Sequence, residues 1–270
     1  MERIVLGVLF VSDWLVLTTC QREFHIINKA LNWTEAQTYC RQKFTDQATI
    51  ENDEEISKYR DKTLADSWIG LLSKINWMWS DGLTGSGAEY RNWETSDDEP
   101  DFISASQYCV LIGDNGKWWD YDCKTEFPFI CYKGTQQNPE FEVVNKSMTW
   151  SSAQSYCKKN FRDLATVRND MENQMIQSLI PSGHWVWTGL FRRPNFTWSD
   201  KSNFNFSKWA KVSNKIDPSE TLCGVTSESA MWKLLPCETK LPFVCYKSIA
   251  PRKTEGEEYD WCHSEVEEEA

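Results

Sequence analysis

The sequence predicts an α+β fold that occurs twice in tandem and is stabilised by disulfides. Eight of the ten cysteines form two sets of four, namely Cys40, Cys109, Cys123 and Cys131, and then Cys157, Cys223, Cys237 and Cys245. Of the three intervals between successive cysteines, the last two are identical in both sets, and the first differs by three residues. The sequence before the first cysteine also repeats, as Trp33-Thr-Glu-Ala-Gln-Thr-Tyr-Cys40 and Trp150-Ser-Ser-Ala-Gln-Ser-Tyr-Cys157. A repeat of about 115 residues has the length of a whole domain.

This repeat predicts the organisation of the whole chain. Residues 21–133 form the first domain, 134–139 a short polar linker and 140–247 the second domain. Residues 1–20 are predicted to be a secretory signal peptide, because an apolar core at 4–11 follows Arg3. A signal anchor is the alternative, but Asp13 interrupts a stretch that is already short for a membrane span. Residues 248–270 are predicted to be a disordered acidic tail.

Within each repeat the pattern predicts two helices followed by strands. In the first, Trp33, Ala36 and Cys40 recur at helical spacing. The predicted elements are an opening strand at 24–28, helices at 32–44 and about 52–64, strands at 67–72, 77–82, 109–112 and 127–132, and a long polar loop at 83–107. The second repeat has the same order, with an opening strand at 141–144 and helices at 150–161 and 170–179. Recurring tryptophans are predicted to lie in the core: Trp33, Trp68, Trp79 and Trp118, with Trp150, Trp187, Trp198 and Trp232.

Composition indicates a secreted protein and excludes some classes of function. Ten cysteines are typical of an oxidising compartment, and no later segment reaches membrane-spanning length. Glycosylation is predicted at four sequons: Asn32, Asn145, Asn195 and Asn205. The net charge of −11 and the absence of Lys/Arg clusters argue against nucleic-acid binding. No catalytic motif surrounds His25, His184 or His263, so the protein is not expected to be an enzyme.

The chain resembles the C-type lectin-like domain in the order of its elements. Helices come first, followed by Trp68-Ile-Gly-Leu, a long loop, Gly116-Lys-Trp and Pro128-Phe-Ile-Cys. The resemblance covers nearly all of residues 24–247, and the tandem arrangement looks like mannose-receptor-type lectins. It implies two helices, antiparallel sheets, a long loop and two disulfides per domain. Spacing alone leaves three connectivities per domain open. The family implies the pairs Cys40–Cys131, Cys109–Cys123, Cys157–Cys245 and Cys223–Cys237.

The resemblance also implies a calcium site on the long loop of domain 1. The family draws its ligands from a Glu-Pro-Asn or Gln-Pro-Asp tripeptide with a cis proline, a glutamate before the second cysteine, and an Asn-Asp pair. Here these positions hold Glu99-Pro100-Asp101, Gln107, and Trp119-Asp120. Glu99, Asp101, Gln107 and Asp120 are therefore predicted to hold Ca²⁺ and bind sugar hydroxyls. Trp119 cannot ligate calcium, so binding should be weak. The alternative is a solvated acidic loop.

Domain 2 lacks the corresponding ligands. Thr221 stands at the position of Gln107, and Lys233 and Leu234 replace the Asn-Asp pair. The loop also carries Lys211 and Lys215, with an out-of-register Asp-Pro at 217–218. Because lysine repels a cation and leucine cannot ligate one, domain 2 is not expected to bind calcium.

The sequence thus favours a secreted, extracellular lectin whose partners are glycans or glycoproteins. The alternative is a calcium-independent module that recognises a protein, and a third hypothesis is an isoform of a longer receptor. Cys262 has no partner among the paired eight unless Cys20 is retained, so it could link two chains in a disulfide-bonded dimer.

Overall fold

The computed structural model describes residues 21–249 except 61–64, 75, 136, 194, 213 and 215–220. The predicted signal peptide, Cys262 and nearly all of the predicted tail lie outside these residues. The strands are β1 (Gln21–Leu31), β2 (Asp46–Gln47), β3 (Ser67–Lys74), β4 (Trp77–Trp79), β5 (Gln107–Gly113), β6 (Trp118–Asp122), β7 (Phe127–Tyr132), β8 (Phe141–Met148), β9 (Asp163–Leu164), β10 (Trp185–Arg192), β11 (Phe196–Trp198), β12 (Thr221–Thr226), β13 (Trp232–Pro236) and β14 (Leu241–Ile249). The helices are α1 (Trp33–Lys43), α2 (Asp53–Arg60), α3 (Trp150–Asn160) and α4 (Asp170–Gln177).

The first helix of each repeat begins at a polar cap and buries the predicted face. Asn32 accepts a hydrogen bond from the backbone N–H of Glu35, whose side chain in turn accepts from the Asn32 N–H. Thr149 caps α3 in the same way, by accepting from Ser152. The buried positions are Trp33, Ala36 and Cys40 in α1, and Trp150, Ala153 and Cys157 in α3. The helix α4 ends at Gln177, two residues before the predicted end.

The two folded units do not coincide with the two sequence repeats. One sheet has the order β1-β14-β3-β12-β13, with β11 on β3 and β2 on β14. The other has the order β6-β5-β10-β7-β8, with β4 on β10 and β9 on β7. The outer unit therefore combines residues 21–74 with 196–249, and the inner unit is the continuous segment 77–192. Each unit joins the first half of one repeat to the second half of the other.

The chain crosses between the units at equivalent places in the two repeats. Strand β3 pairs with β11, which places Leu71 opposite Trp198. Strand β10 pairs with β4, which places Leu190 opposite Trp79. The sheets are mainly antiparallel, as predicted, and each contains one parallel contact, β14 with β3 and β10 with β7.

The described residues of the predicted linker form a tight hairpin turn between β7 and β8, the strands that end one repeat and begin the next. The Lys133 N–H donates to the Glu140 carbonyl at 2.9 Å, and the Thr135 N–H donates to the Asn138 carbonyl at 2.9 Å. A short connection favours this local antiparallel pairing, because closing a small loop costs little chain entropy. The hairpin therefore fits an exchange of halves, in which each unit joins the first half of one repeat to the second half of the other.

The implied pairing of the outer cysteines is wrong. The structure joins Cys40 to Cys245 and Cys131 to Cys157, rather than Cys40 to Cys131 and Cys157 to Cys245. The reason is the strand exchange, which places β14 beside β1 and α1, and β7 beside β8 and α3. The inner pairs, Cys109–Cys123 and Cys223–Cys237, form as the resemblance implied.

The core of each unit is rich in tryptophan. All eight tryptophans predicted to lie in the core are buried: Trp33, Trp68, Trp79, Trp118, Trp150, Trp187, Trp198 and Trp232. Each such side chain removes a large apolar area from water, which is worth about 1.5–3 kcal/mol for a large apolar group. Corresponding ring pairs recur, since Trp79 meets Trp118 edge-on and Trp198 meets Trp232 in the same way. None of the described helices has the length and apolar character needed to cross a membrane.

Candidate metal centre

A long loop of the inner unit, residues 80–106, leaves β4 and returns at β5. Backbone hydrogen bonds fix its first half to β6: the Trp118 N–H donates to the Asn92 carbonyl, and the Glu94 N–H donates to the Trp118 carbonyl, both at 3.0 Å. The second half contains two short 3₁₀ turns, Thr95–Asp97 and Ile103–Ala105. The Glu99–Pro100 peptide bond between these turns is cis.

Three carboxylates converge where this loop meets β6. Glu99 and Asp101 flank Pro100 on the loop, and Asp120 projects from the strand. One carboxylate oxygen from each lies within 4.8 Å of the other two. Asp120 is fully buried, whereas Glu99 and Asp101 are partly exposed. The structure thus brings together three of the four residues that the sequence predicted as ligands.

Asp120 lies at the centre of this cluster. Its Oδ1 accepts hydrogen bonds from the backbone N–H groups of Asp101, at 3.1 Å, and Phe102, at 3.4 Å. Its own N–H donates to Glu99 Oε2 at 3.1 Å. Its Oδ2 is buried and accepts no hydrogen bond, and the Nη2 of Arg192 lies 3.7 Å from it. A buried carboxylate oxygen without a donor is costly, because it has lost its hydration.

Burial raises the pKa of all three carboxyls, and Asp120 raises that of its two neighbours further. Burial, together with the adjacent Asp120, raises the pKa of Glu99 to about 9. Burial and the charge of Asp120 raise the pKa of Asp101 to about 6, and burial raises the pKa of Asp120 itself. These directions are those of a group of acids with too little positive charge nearby. A divalent cation would supply the missing charge.

Gln107, the fourth predicted ligand, adjoins the cluster but has both amide atoms engaged. Its Nε2 donates to the Asp120 carbonyl at 3.0 Å, and its Oε1 accepts a hydrogen bond from the Ile103 N–H. Gln107 therefore braces the loop against β6, with its amide oxygen directed at the Ile103 N–H. This differs from the prediction that its amide oxygen would face the ion.

Trp119 points away from the carboxylates. Side chains alternate along a strand, so that Trp118 and Asp120 face inward while Trp119 faces the opposite side. Its ring packs edge-on against Trp185, with 6.2 Å between ring centroids. Trp119 thus lacks the oxygen ligand that the resemblance implies at this position, and its ring does not fill the space between the acids.

The residues present fit a hard divalent cation. Calcium prefers six to eight oxygen ligands, and the three carboxylates offer up to six oxygens, some already used as hydrogen-bond acceptors. The buried, unsatisfied Oδ2 of Asp120 is a strong feature of the fit. Arg192 supplies one positive charge, so the site would carry a net charge of −2 when a bound cation keeps all three acids ionised. Glu99, Asp101 and Asp120 would hold the ion.

Sequence reasoning missed Arg192 because the exchange brings it from the other repeat. It lies at the end of β10 and is buried beside Asp120. Its Nε and Nη2 donate to the Gln107 carbonyl at 3.1 and 2.8 Å. An arginine in a run of Phe-Arg-Arg gives no local signal that it will face a carboxylate about 70 residues away.

The corresponding region of the second repeat has no such cluster among the described residues. Lys233 forms an ion pair with Asp66, at 2.5 Å, and Leu234 is buried in a hydrophobic contact. Thr221 begins β12 and is exposed. The Asp-Pro pair at 217–218 and Lys215 lie outside the residues that the structure describes.

Three of the four predicted glycosylation sites are exposed in the structure: Asn145, Asn195 and Asn205. Asn195 lies at the crossover between β10 and β11. Asn32 is partly buried and caps α1. Glycosylation at these positions stays a prediction.

Comparisons with known proteins give a consistent family. The profile of the Lectin C-type domain family matches residues 29–133 and 146–247. Human "Lymphocyte antigen 75" is 24% identical over 252 residues, 80% of this chain and 14% of that protein. Bovine "Secretory phospholipase A2 receptor" is 26% identical and covers 78% of this chain and 17% of its own length. Human "C-type mannose receptor 2" is 24% identical, and the alignment covers 83% of this chain and 18% of that protein.

The chain therefore spans about a sixth of the length of these curated relatives. Among solved structures, a "calcium-independent type II antifreeze protein" aligns with a TM-score of 0.36 and 13% identity, over 84% of this chain and 87% of that one. Two of these three relatives are named as receptors.

Proposed function

Because the chain belongs to the C-type lectin domain family, we propose that it binds glycans through a calcium ion held on the inner unit. Glu99, Asp101 and Asp120 are the proposed ligands, and Gln107 fixes the loop that carries two of them. Calcium bound there supplies a hard cation to which two neighbouring sugar hydroxyls can coordinate. The partly exposed carboxylates of Glu99 and Asp101 accept hydrogen bonds from those hydroxyls.

One observation carries the proposal: the fully buried Asp120 has an oxygen without a hydrogen-bond donor and lies between two further acids. Asp120 projects from β6 and not from the acidic loop, so solvation of the loop does not account for its burial beside the two acids. The four disulfides among the described residues are consistent with an extracellular domain, so we propose secretion and glycan or glycoprotein partners. A single weak site gains avidity when copies are clustered, which a disulfide through Cys262 would provide.

The test combines a glycan array with calorimetry. We expect array signal in millimolar calcium and its loss in EDTA, and heat on titration with calcium. Asp101→Asn should weaken calcium binding at least tenfold, since even residues that only support metal ligands typically cost 10–100-fold. Asp97→Asn is the matched control, because Asp97 is an exposed acid on the same loop. Equal array signal with and without EDTA would contradict the calcium mechanism.

A calcium-independent protein-recognition module is the second candidate. The engaged amide of Gln107 and the guanidinium of Arg192 favour it, because the arginine already partly neutralises Asp120. If this candidate is right, calcium produces no heat, no glycan on the array binds, and Asp101→Asn has no effect on the affinity for a protein partner.

A further inference from the structure

The second repeat contacts the loop that carries the candidate ligands. The 3₁₀ turn Ile103–Ala105 follows Asp101 directly. Phe102 and Ala105 are buried against Leu222 of β12 and Leu234 of β13. This hydrophobic contact joins the inner unit to the outer unit close to the three carboxylates.

Asn214 joins the two units at the same junction, with two hydrogen bonds to the loop of the inner unit and one to β13 of its own unit. Its backbone N–H donates to the Asp101 carbonyl at 2.7 Å. Its side-chain Nδ2 donates to the Phe102 carbonyl at 2.9 Å, and its Oδ1 accepts from the Leu234 N–H at 2.8 Å. Asn214 is only 4% exposed. The residue therefore connects the backbone of the loop to that of β13.

The segment that Asn214 holds is the one that orients the ligands. The N–H groups of Asp101 and Phe102 bind Asp120 on one side, and their carbonyls bind Asn214 on the other. Phe102 has a φ of 47°, in the left-handed region. A bulky residue adopts that region only where its surroundings impose it. Hydrogen bonds to the N–H and the carbonyl of both residues supply that restraint.

We propose that Asn214 is a positioning residue for the metal centre, so that the repeat without ligands of its own supports the site of the other repeat. This inference rests on the proposed function. The hydrogen bonds of Asn214 go to backbone groups and to none of the three carboxylates. It acts through the backbone of Asp101 and Phe102.

The experiment compares Asn214→Ala with Ser199→Ala. Ser199 is also buried and hydrogen-bonded in the outer unit, where its partners are Asp46, Gln37 and Arg41. Two readouts are taken: the calcium dissociation constant by calorimetry, and the hydrogen exchange rates of the 101–103 amides in metal-free protein. For Asn214→Ala we expect a dissociation constant raised by about tenfold or more and clearly faster exchange at these amides. Ser199→Ala should change neither.

Unchanged exchange and unchanged affinity in Asn214→Ala would overturn the inference, as would equal changes in Ser199→Ala. If the wild-type protein gives no heat with calcium, the proposed function fails, and the exchange rates still decide whether Asn214 holds the loop. If Asn214→Ala does not fold, Asn214→Asp keeps the acceptor for Leu234 and removes the donor to Phe102, and its exchange rates give the same decision.

Discussion

Arg192 brings a positive charge into the interior of the inner unit. Its guanidinium carbon lies 3.2 Å from the ring centroid of Phe102 and 5.1 Å from that of Trp77. Burial lowers its pKa to about 10, so it remains charged at neutral pH. The charge is stabilised by Asp120, by the carbonyl of Gln107 and by the aromatic faces.

Replacing Arg192 with methionine should lower the free energy of unfolding by about 3 kcal/mol, because removing one partner leaves the buried Asp120 uncompensated. Urea denaturation of metal-free protein measures the change, with Arg193→Met as a control at the adjacent exposed position. If the proposed calcium site is correct, the difference from wild type shrinks in millimolar calcium. If Arg192→Met has the same free energy of unfolding as wild type, Asp120 needs no counter-charge.

Asp200 of the outer unit provides a pH-dependent contribution to stability. Burial alone would raise its pKa, but hydrogen bonds from Ser202 and Tyr246 lower it below the usual value. The Ser202 N–H donates at 2.9 Å and the Tyr246 hydroxyl at 3.0 Å. A carboxyl whose pKa is lowered by folding stabilises the protein above its unfolded pKa of about 3.9. That contribution is lost as the pH falls through the folded value.

We therefore expect Asp200→Asn to be less stable than wild type at pH 7 and to approach wild type below about pH 3. Urea denaturation at both pH values tests this, with Glu54→Gln as a control, since Glu54 is a largely exposed helix residue. A difference that stayed constant with pH would indicate a packing effect instead of loss of the charged form.

At the scale of elements, the helices and strands follow from local sequence. The helical spacing of apolar residues predicted α1 and α3 to within a residue or two of their observed bounds, and the structure shows that Asn32 and Thr149 cap them. The partners of these elements could not be predicted locally. The two terminal strands, Phe127–Tyr132 and Leu241–Ile249, share Pro-Phe-Ile/Val-Cys-Tyr-Lys, so either can pair with either opening strand.

The linker hairpin is the element that distinguishes the exchanged arrangement from one in which each repeat folds as a separate domain. Gly134 is buried in it, and a Cβ there would overlap the carbonyl oxygen of Asn138 and the N–H of Glu140. Two separate domains would be joined by an extended linker with no such crowding. The need for glycine at 134 is therefore specific to the exchanged arrangement.

Gly134→Ala should lower the free energy of unfolding by roughly 1–3 kcal/mol, the usual cost of overpacking. Gln137→Ala, at an exposed position of the same turn, should change it by less than about 0.5 kcal/mol. Thermal and urea denaturation of both variants test this. Equal stability of Gly134→Ala and wild type would argue for an extended linker.

At the scale of the molecule, the exchange explains which parts of the site could be predicted. Glu99, Asp101 and Asp120 lie in one repeat and match a family pattern, so the sequence brought them together. Arg192 and Asn214 come from the other repeat, and their role depends on which halves fold together. The duplicated sequence does not encode that choice in any local pattern, because equivalent strands of the two repeats offer similar partners.

The exchange itself can be tested by cutting the linker. In the structure, Cys40–Cys245 and Cys131–Cys157 both join residues before the linker to residues after it. With the pairing that the family implies, each disulfide would lie within one repeat. A specific protease site inserted between Gln137 and Asn138, in an exposed turn, should be tolerated. The experiment uses a Cys262→Ser background, so that the tail cannot link the fragments.

After cleavage, we expect one band of full size on a non-reducing denaturing gel and two bands of about half that size after reduction, because two disulfides hold the halves together. Uncleaved protein is the control in both lanes. Mass spectrometry of the non-reduced digest should recover Cys40 with Cys245 and Cys131 with Cys157. Two half-size bands without reductant would mean that each repeat folds as a separate domain. Arg192 and Asn214 would then lie away from the carboxylates, and the support that the second repeat gives to the metal centre would be lost with them.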